Sequence, residues 1–212
     1  MPEFMPQTEA VIQMFGKAQP HERSVIGEMH LHYEGEIRSM VHQGHEPHNI
    51  AHSLNLEIDR SVAHTLKTKN GRKVTCKRGC GHCCKLHVSI TEEEAALLQA
   101  AVEHARIELD WEKLRRQAQH SLKTWGEQPA GDRRCVFLSE RNDCRVYEHR
   151  PAACRKYLVA SDPQLCNTAK YPGGQVAVVV PLEGEVIASA MLAALEWGSL
   201  PKMLLKAKEA MS

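Results

Sequence analysis

Eight cysteines are the residues of this 212-residue chain best equipped for chemistry, and they fall into two groups. Cys76, Cys80, Cys83 and Cys84 lie close together, whereas Cys135, Cys144, Cys154 and Cys166 follow after a gap of fifty residues. In an oxidising compartment such a count suggests disulfides, and in a reducing one it points to metal or redox chemistry. The Cys80-Gly-His-Cys83 segment has the two-residue gap that lets both sulfurs face one metal centre. Gly79 and Gly81 sit between the thiols, where a tight loop often needs positive φ. The Cys83-Cys84 doublet behaves differently, because neighbouring side chains in extended backbone diverge. It suits two metals, a cluster, or one ligand beside one reactive thiol.

Charge around the thiols is positive. Lys73, Lys77, Arg78 and Lys85 surround the first group with no carboxylate among them, and Arg145, Arg150, Arg155 and Lys156 surround the second. Cations lower a thiol pKa and offset the charge of several thiolates. Thirteen histidines add further candidates. His82 and His87, in or beside the first cysteine group, are polar loop residues that could each replace a cysteine as ligand. His48 and His52 stand at i, i+4, with His45 or Glu57 as a conceivable third ligand. No His-Glu-x-x-His pattern accompanies them, so a solvated or packed helix face is the expectation. With His30, His32, His42 and His64 they make a half of the chain able to titrate near pH 6.5. No Ser-His-Asp arrangement is readable from order alone.

The ordered set Cys76-x-x-x-Cys80-x-x-Cys83-Cys84, Val88-Ser-Ile-Thr-x-x-Glu, Cys135-Val-Phe-Leu and Cys144-x-x-Tyr147-x-x-Arg150-Pro151-x-x-Cys154-Arg155 resembles the YkgJ-type cysteine-cluster family. That bacterial family comprises zinc- or iron-chelating domains and is similar to flagellin N-methylases. The resemblance covers about residues 73 to 167. It implies that Cys76, Cys80, Cys83, Cys84, Cys135, Cys144, Cys154 and Cys166 are the metal ligands, with Arg150 and Arg155 in support. Of these, Cys84 and Cys166 have the weakest geometric case, one for its doublet and one for its place in a polar loop.

The elements that must position these residues can be read from periodicity and caps. Residues 5–68 read as helical, with Ile50, Leu54, Ile58 and Val62 at helical spacing and Asn70-Gly71 as the stop. Thr91 with Glu94 is a capping box for a helix carrying Ala95, Leu98, Ala101, Val102 and Ile107. Asp110 opens a second amphipathic piece through about Trp125. Cys135-Val-Phe-Leu and Cys144-Arg-Val-Tyr are expected as short strands around a turn at residues 140–143, and Arg150 to Tyr157 as a short helix with Pro151 in its first turn. Gln175 to Val180 is the best strand signal, after a Gly173-Gly174 turn. Glu185 to Trp197 and Leu200 to Ala210 are expected as closing helices. The last is amphipathic and is expected to pack into the core, as are Trp125 and Tyr147 around the metal site.

The fold class is therefore mainly helical α+β. A helical segment at residues 5–72 precedes a metal-stapled cysteine-cluster domain at residues 73–212, whose metal joins the knuckle at residues 76–84 to residues 135–166. A net charge of +1 gives no basic footprint for nucleic acid. The apolar runs Val176 to Val180 and Val186 to Leu195 fall well short of a membrane span. The first residues lack the apolar stretch of a secretory signal, which leaves a cytoplasmic protein as the expectation. The composition predicts a metal ion as partner, with no nucleic acid or membrane and with any protein partner unidentified.

An all-thiolate inventory suits two tetrahedral zinc ions or an iron–sulfur cluster. The primary expectation is a zinc- or iron-chelating module. The alternative is an iron–sulfur-dependent redox or methyl-transfer enzyme related to flagellin N-methylase, although no GxGxxG cofactor loop is present. Thiol-based redox sensing through Cys83-Cys84 is a third.

Overall fold

The computed structural model describes residues 8–168, 170–171 and 174–210. Three helices open it: α1 (Glu9–Lys17), α2 (Pro20–His42) and α3 (Pro47–Lys67). Their starts follow from local chemistry. The Thr8 side chain accepts from Val11 N, and Pro20 and Pro47 each stand in a first turn, where a missing N–H costs nothing. Gly44, with φ of 73°, lets the chain reverse between α2 and α3. The helical stretch expected over residues 5–68 is thus three helices, with residues 5–7 outside the described part. Its stop is Thr68 rather than Asn70-Gly71, which begins a 3₁₀ turn at Gly71–Lys73.

Strand β1 (Ser89–Thr91) leads into α4 (Glu92–His104) through the expected capping box. The Thr91 side chain accepts from Glu94 N and the Glu94 carboxylate accepts from Thr91 N at 2.9 Å. Helix α5 (Trp111–Ala118) begins at the Asp110 cap but ends well before Trp125. Trp125 instead starts a separate 3₁₀ turn, where its indole N–H donates to Lys85 O at 2.8 Å. A short helix α6 (Ala152–Arg155) and a strand β2 (Leu158–Val159) follow.

The strand signal at Gln175–Val180 condenses to β3 (Val178–Val179), paired antiparallel with β2. Gly173 of the expected turn lies outside the described residues. Helix α7 (Leu182–Ala194) stops before Trp197, which opens β4 (Trp197–Ser199), the antiparallel partner of β1. Helix α8 (Leu200–Ala210) closes the described chain as expected. The Cys135 and Cys144 segments form one isolated bridge, Leu138 with Cys144, in place of two strands. Asn142 takes a positive φ of 62° in the turn between them.

The architecture is mainly helical α+β. Helix α7 is buried from Gly184 through Met191 and packs against α2 and α3 around Ile37, Ile58, Ile187 and Met191. A second core joins α4 and α8 to the cysteine loops through Ile90, Leu98, Leu114, Phe137 and Leu204. Among the described residues no helix is long and apolar enough to cross a membrane.

Candidate metal centre

All eight cysteines are free thiols, and all eight line one cavity of about 260 Å³. The first group enters on a loop whose geometry needs both its glycines. Gly79 has φ of 84°, in the left-handed region that favours glycine. A Cβ on Gly81 would lie 3.1 Å from the Leu138 side chain, so this glycine serves close approach rather than positive φ.

Backbone pairing brings the second group to the first. Cys135 N donates to Cys84 O at 2.8 Å, and Thr75 N donates to Val159 O at 2.8 Å. Val159 N also donates to the Cys76 sulfur at 3.2 Å. Cys166 departs from its expected place in a polar loop: it ends a 3₁₀ turn and is buried.

Helix α6, which carries Cys154, is tied to three long helices by carboxylates. Glu94 of α4 accepts from Ala152 N at 2.6 Å, Asp59 of α3 pairs with Arg155, and Glu185 of α7 pairs with Lys156 at 2.6 Å. The Glu94 carboxylate therefore caps α4 and α6 at once, and burial pushes its pKa up against those two N–H donors. Burial nearly exhausts the Arg155 donors: its Nε donates to Arg150 O, and one Nη donates to Glu148 O.

Six of the thiols, Cys76, Cys83, Cys135, Cys144, Cys154 and Cys166, are held in an environment that favours their neutral form. Cys83 is raised first by its hydrogen bond with Cys84 and then by burial. Burial pushes Cys135 up to about 11, with Cys144 and Cys83 adding to the effect. Burial is also the main cause for Cys166, up to about 11, and for Cys154, Cys144 and Cys76. Arg150 opposes these shifts at Cys76, Cys83, Cys144 and Cys154.

Among the described residues, no three His, Cys, Asp or Glu side chains stand gathered at single-ion spacing. The sulfurs surround the cavity instead of meeting at a point. Their surroundings nonetheless fit a metal–thiolate group. The donors are sulfur, and neither His82 nor His87 is among the lining residues. Arg133 lines the cavity with a buried Nε that has no hydrogen-bond acceptor, as expected of a wall built to face negative charge. His87 packs edge-on against Trp125, with ring centroids 5.3 Å apart. His48 and His52 are exposed on α3.

Tyr147 and Trp125 both line the cavity, in keeping with their expected places around the site. Sequence reasoning missed Asp59, Val62 and Leu66 of α3 and Leu200 and Pro201 of α8 as parts of the same wall. Of these only Val62 belongs to the apolar spacing read from the sequence, and that spacing says nothing of which cavity a residue faces.

Eight free cysteines thus face one cavity, with guanidinium groups in its wall. Residues 75–171 match the CxxCxxCC family model, described as a putative zinc- or iron-chelating domain. No curated protein and no solved structure matches the chain.

Proposed function

We propose that this protein chelates zinc or iron in one polynuclear centre held by Cys76, Cys80, Cys83, Cys84, Cys135, Cys144, Cys154 and Cys166. The observation that carries the reading is the placement of all eight thiols on a single cavity of about 260 Å³. A lone tetrahedral ion, with sulfur at about 2.3 Å, leaves no such space between its ligands. Around 10–15 Å³ of this kind of volume already admits a water molecule. Eight sulfurs around a larger void suit several metal atoms, or metal with bridging sulfide.

The knuckle and the downstream cysteines lie far apart in sequence, so a shared centre fixes the two segments to each other. The helical segment before residue 73 then serves as the outer wall, through Asp59, Val62 and Leu66. Chelation by thiols requires them reduced, which supports a cytoplasmic setting.

The deciding experiment is elemental analysis and visible absorption of protein purified without oxygen. More than one metal equivalent per chain is the expected result, and a single equivalent overturns the polynuclear reading. Zinc in a colourless solution supports a chelating module without electron transfer. Iron with matching sulfide and a brown colour supports an iron–sulfur centre and turns the search toward a redox or methyl-transfer reaction. Changing Cys83 or Cys154 to Ser lowers the bound metal in either case, whereas changing His48 leaves it unaltered.

A further inference from the structure

A second cavity, an open groove of about 510 Å³, shares Val146 and Tyr147 with the thiol cavity but none of its cysteines. Its volume falls within the usual range for a small-molecule site. Four basic side chains reach it from four separate segments: Arg78 from the first cysteine loop, His104 from the last turn of α4, Arg145 from the residue after Cys144, and His149 from the 3₁₀ turn at Tyr147–His149. Among the described residues its one carboxylate is that of Glu148. Buried Leu97, Ala101 and Val146 give the groove an apolar floor.

The two guanidinium groups are held in different ways. One Nη of Arg145 donates to Glu108 O at 3.1 Å and the other to Val136 O at 2.6 Å. Carbonyls fix the group without cancelling its charge, and three of the five N–H groups of the guanidinium stay unspent. Arg78 lies over the Tyr147 ring at 4.8 Å and meets Glu148 at 3.5 Å, with both members of that pair largely exposed. An exposed pair contributes little, so an incoming anion can take the place of Glu148. The Nδ1 of His149 is buried with no hydrogen-bond partner among the described residues, a polar atom that the fold itself leaves unsatisfied.

We propose that this groove binds a small organic oxyanion, a carboxylate or phosphoryl group held by Arg78 and Arg145 with its apolar part on Leu97, Ala101 and Val146. Planar guanidinium forks match either oxyanion, and the floor favours one carried on an apolar body. The site goes beyond chelation and stands on residues other than the eight cysteines. Glu148 is its built-in competitor, covering Arg78 until the ligand arrives.

The test titrates the full-length protein, purified without oxygen, with phenyl phosphate, benzoate and inorganic phosphate. Calorimetry gives the affinity and amide NMR locates the binding. One saturable site is expected, with shifts at residues 97–105 and 145–149. Phenyl phosphate is expected to bind more tightly than inorganic phosphate, and its rank against benzoate tells a phosphoryl ligand from a carboxylate. Arg78→Gln is expected to weaken binding about 10-fold at unchanged metal content. Glu148→Gln is expected to tighten it several-fold. Raising the salt from about 0.05 M to about 0.5 M weakens binding in the wild type and less so in Arg78→Gln.

Absence of saturable binding by all three probes overturns the site, as does wild-type affinity in Arg78→Gln. Inorganic phosphate binding as tightly as phenyl phosphate overturns the role of the apolar floor. Circular dichroism checks the fold, and if Arg78→Gln does not fold, Glu148→Gln carries the test: affinity unchanged in that variant overturns the assignment of Arg78. Metal content, measured on the same samples, reports on chelation separately, so that either reading can fail without the other.

Discussion

The helical frame and the cysteine loops are held together by different forces. In the frame, α2, α3 and α7 meet through Ile37, Ile50, Leu54, Ile58, Ile187 and Met191, all of them buried. Burying a side chain of this kind contributes roughly 1.5–3 kcal/mol, and the frame needs no ligand to gain it. The loops at residues 74–88 and 133–168 contain only single helical turns and one two-residue strand. Their buried apolar residues are scattered through the loops, Val136, Phe137, Leu138, Val146, Ala152, Leu158 and Val159 among them, and polar ties add further anchors to the frame. A region so poor in repeating hydrogen bonds keeps one conformation only when something in its interior joins the pieces. The frame is thus a scaffold folded by burial, and on the proposed function the loops are a site that chelation would complete.

Metal removal is the largest way to test that contrast. Stripping the protein is expected to speed amide exchange in residues 76–88 and 135–166 by orders of magnitude, because thiolate metal binding contributes on the order of 10 kcal/mol to its local fold. Amides of α3 and α7 are expected to keep their protection. Equal loss in both regions breaks the comparison.

Ile187→Ala reverses the experiment. It removes a fully buried side chain of the frame and is expected to cost about 2–5 kcal/mol in a urea melt, with metal content unchanged. Loss of metal in this variant means that frame and site are one cooperative unit.

Glu94→Ala strikes the seam between the two regions. It removes a carboxylate that caps both α4 and α6, at about 1 kcal/mol per cap. Because α6 carries Cys154, this variant is expected to weaken metal binding several-fold as well as stability, unlike Ile187→Ala. Metal titration alongside the melt checks both expectations.

The same division governs what the sequence makes legible. Local signals succeed where the cause is local: the Thr91 and Glu94 capping box, the Asp110 cap, the apolar periodicity of α3, and the cysteine spacing with its glycines. They fail where a partner lies far along the chain. Strand β1 exists because Ser89 pairs with Ser199, more than a hundred residues away, and β3 is short because only Val178 and Val179 meet β2. Trp125 looked like the end of an amphipathic helix, yet its indole is committed to Lys85 O across a loop. Cys166 sits among polar neighbours in sequence, and only the tertiary fold shows that it is buried beside Tyr157. The pairing of Asp59 with Arg155 and of Glu185 with Lys156 also depends on the tertiary fold, which brings α6 to α3 and α7.

The smallest expected effect is a difference in alkaline response. Without metal, Cys135 and Cys166 are held up to about 11 against the usual 9.0, first by burial and then by neighbouring thiols. The unfolded chain releases these protons near pH 9, while the folded chain retains them to about pH 11. Their contribution to stability is therefore complete below pH 9 and is lost as the pH rises from 9 to 11. Tyr157, pushed up to about 12 by its burial and by Cys166, continues the decline in the same direction above pH 10.

Metal-loaded protein has already given up its thiol protons, so the cysteine part of this slope vanishes on chelation. Urea melts at pH 8 and pH 10.5 are expected to show a loss on the order of 1 kcal/mol in the metal-free protein and a smaller one in the loaded protein. Cys135→Ser in the metal-free state is expected to remove part of the slope, whereas Ile187→Ala shifts the whole curve downward without bending it. A slope that persists unchanged after metal loading would place its origin outside the thiols, and with it the source of the pH sensitivity outside the loops.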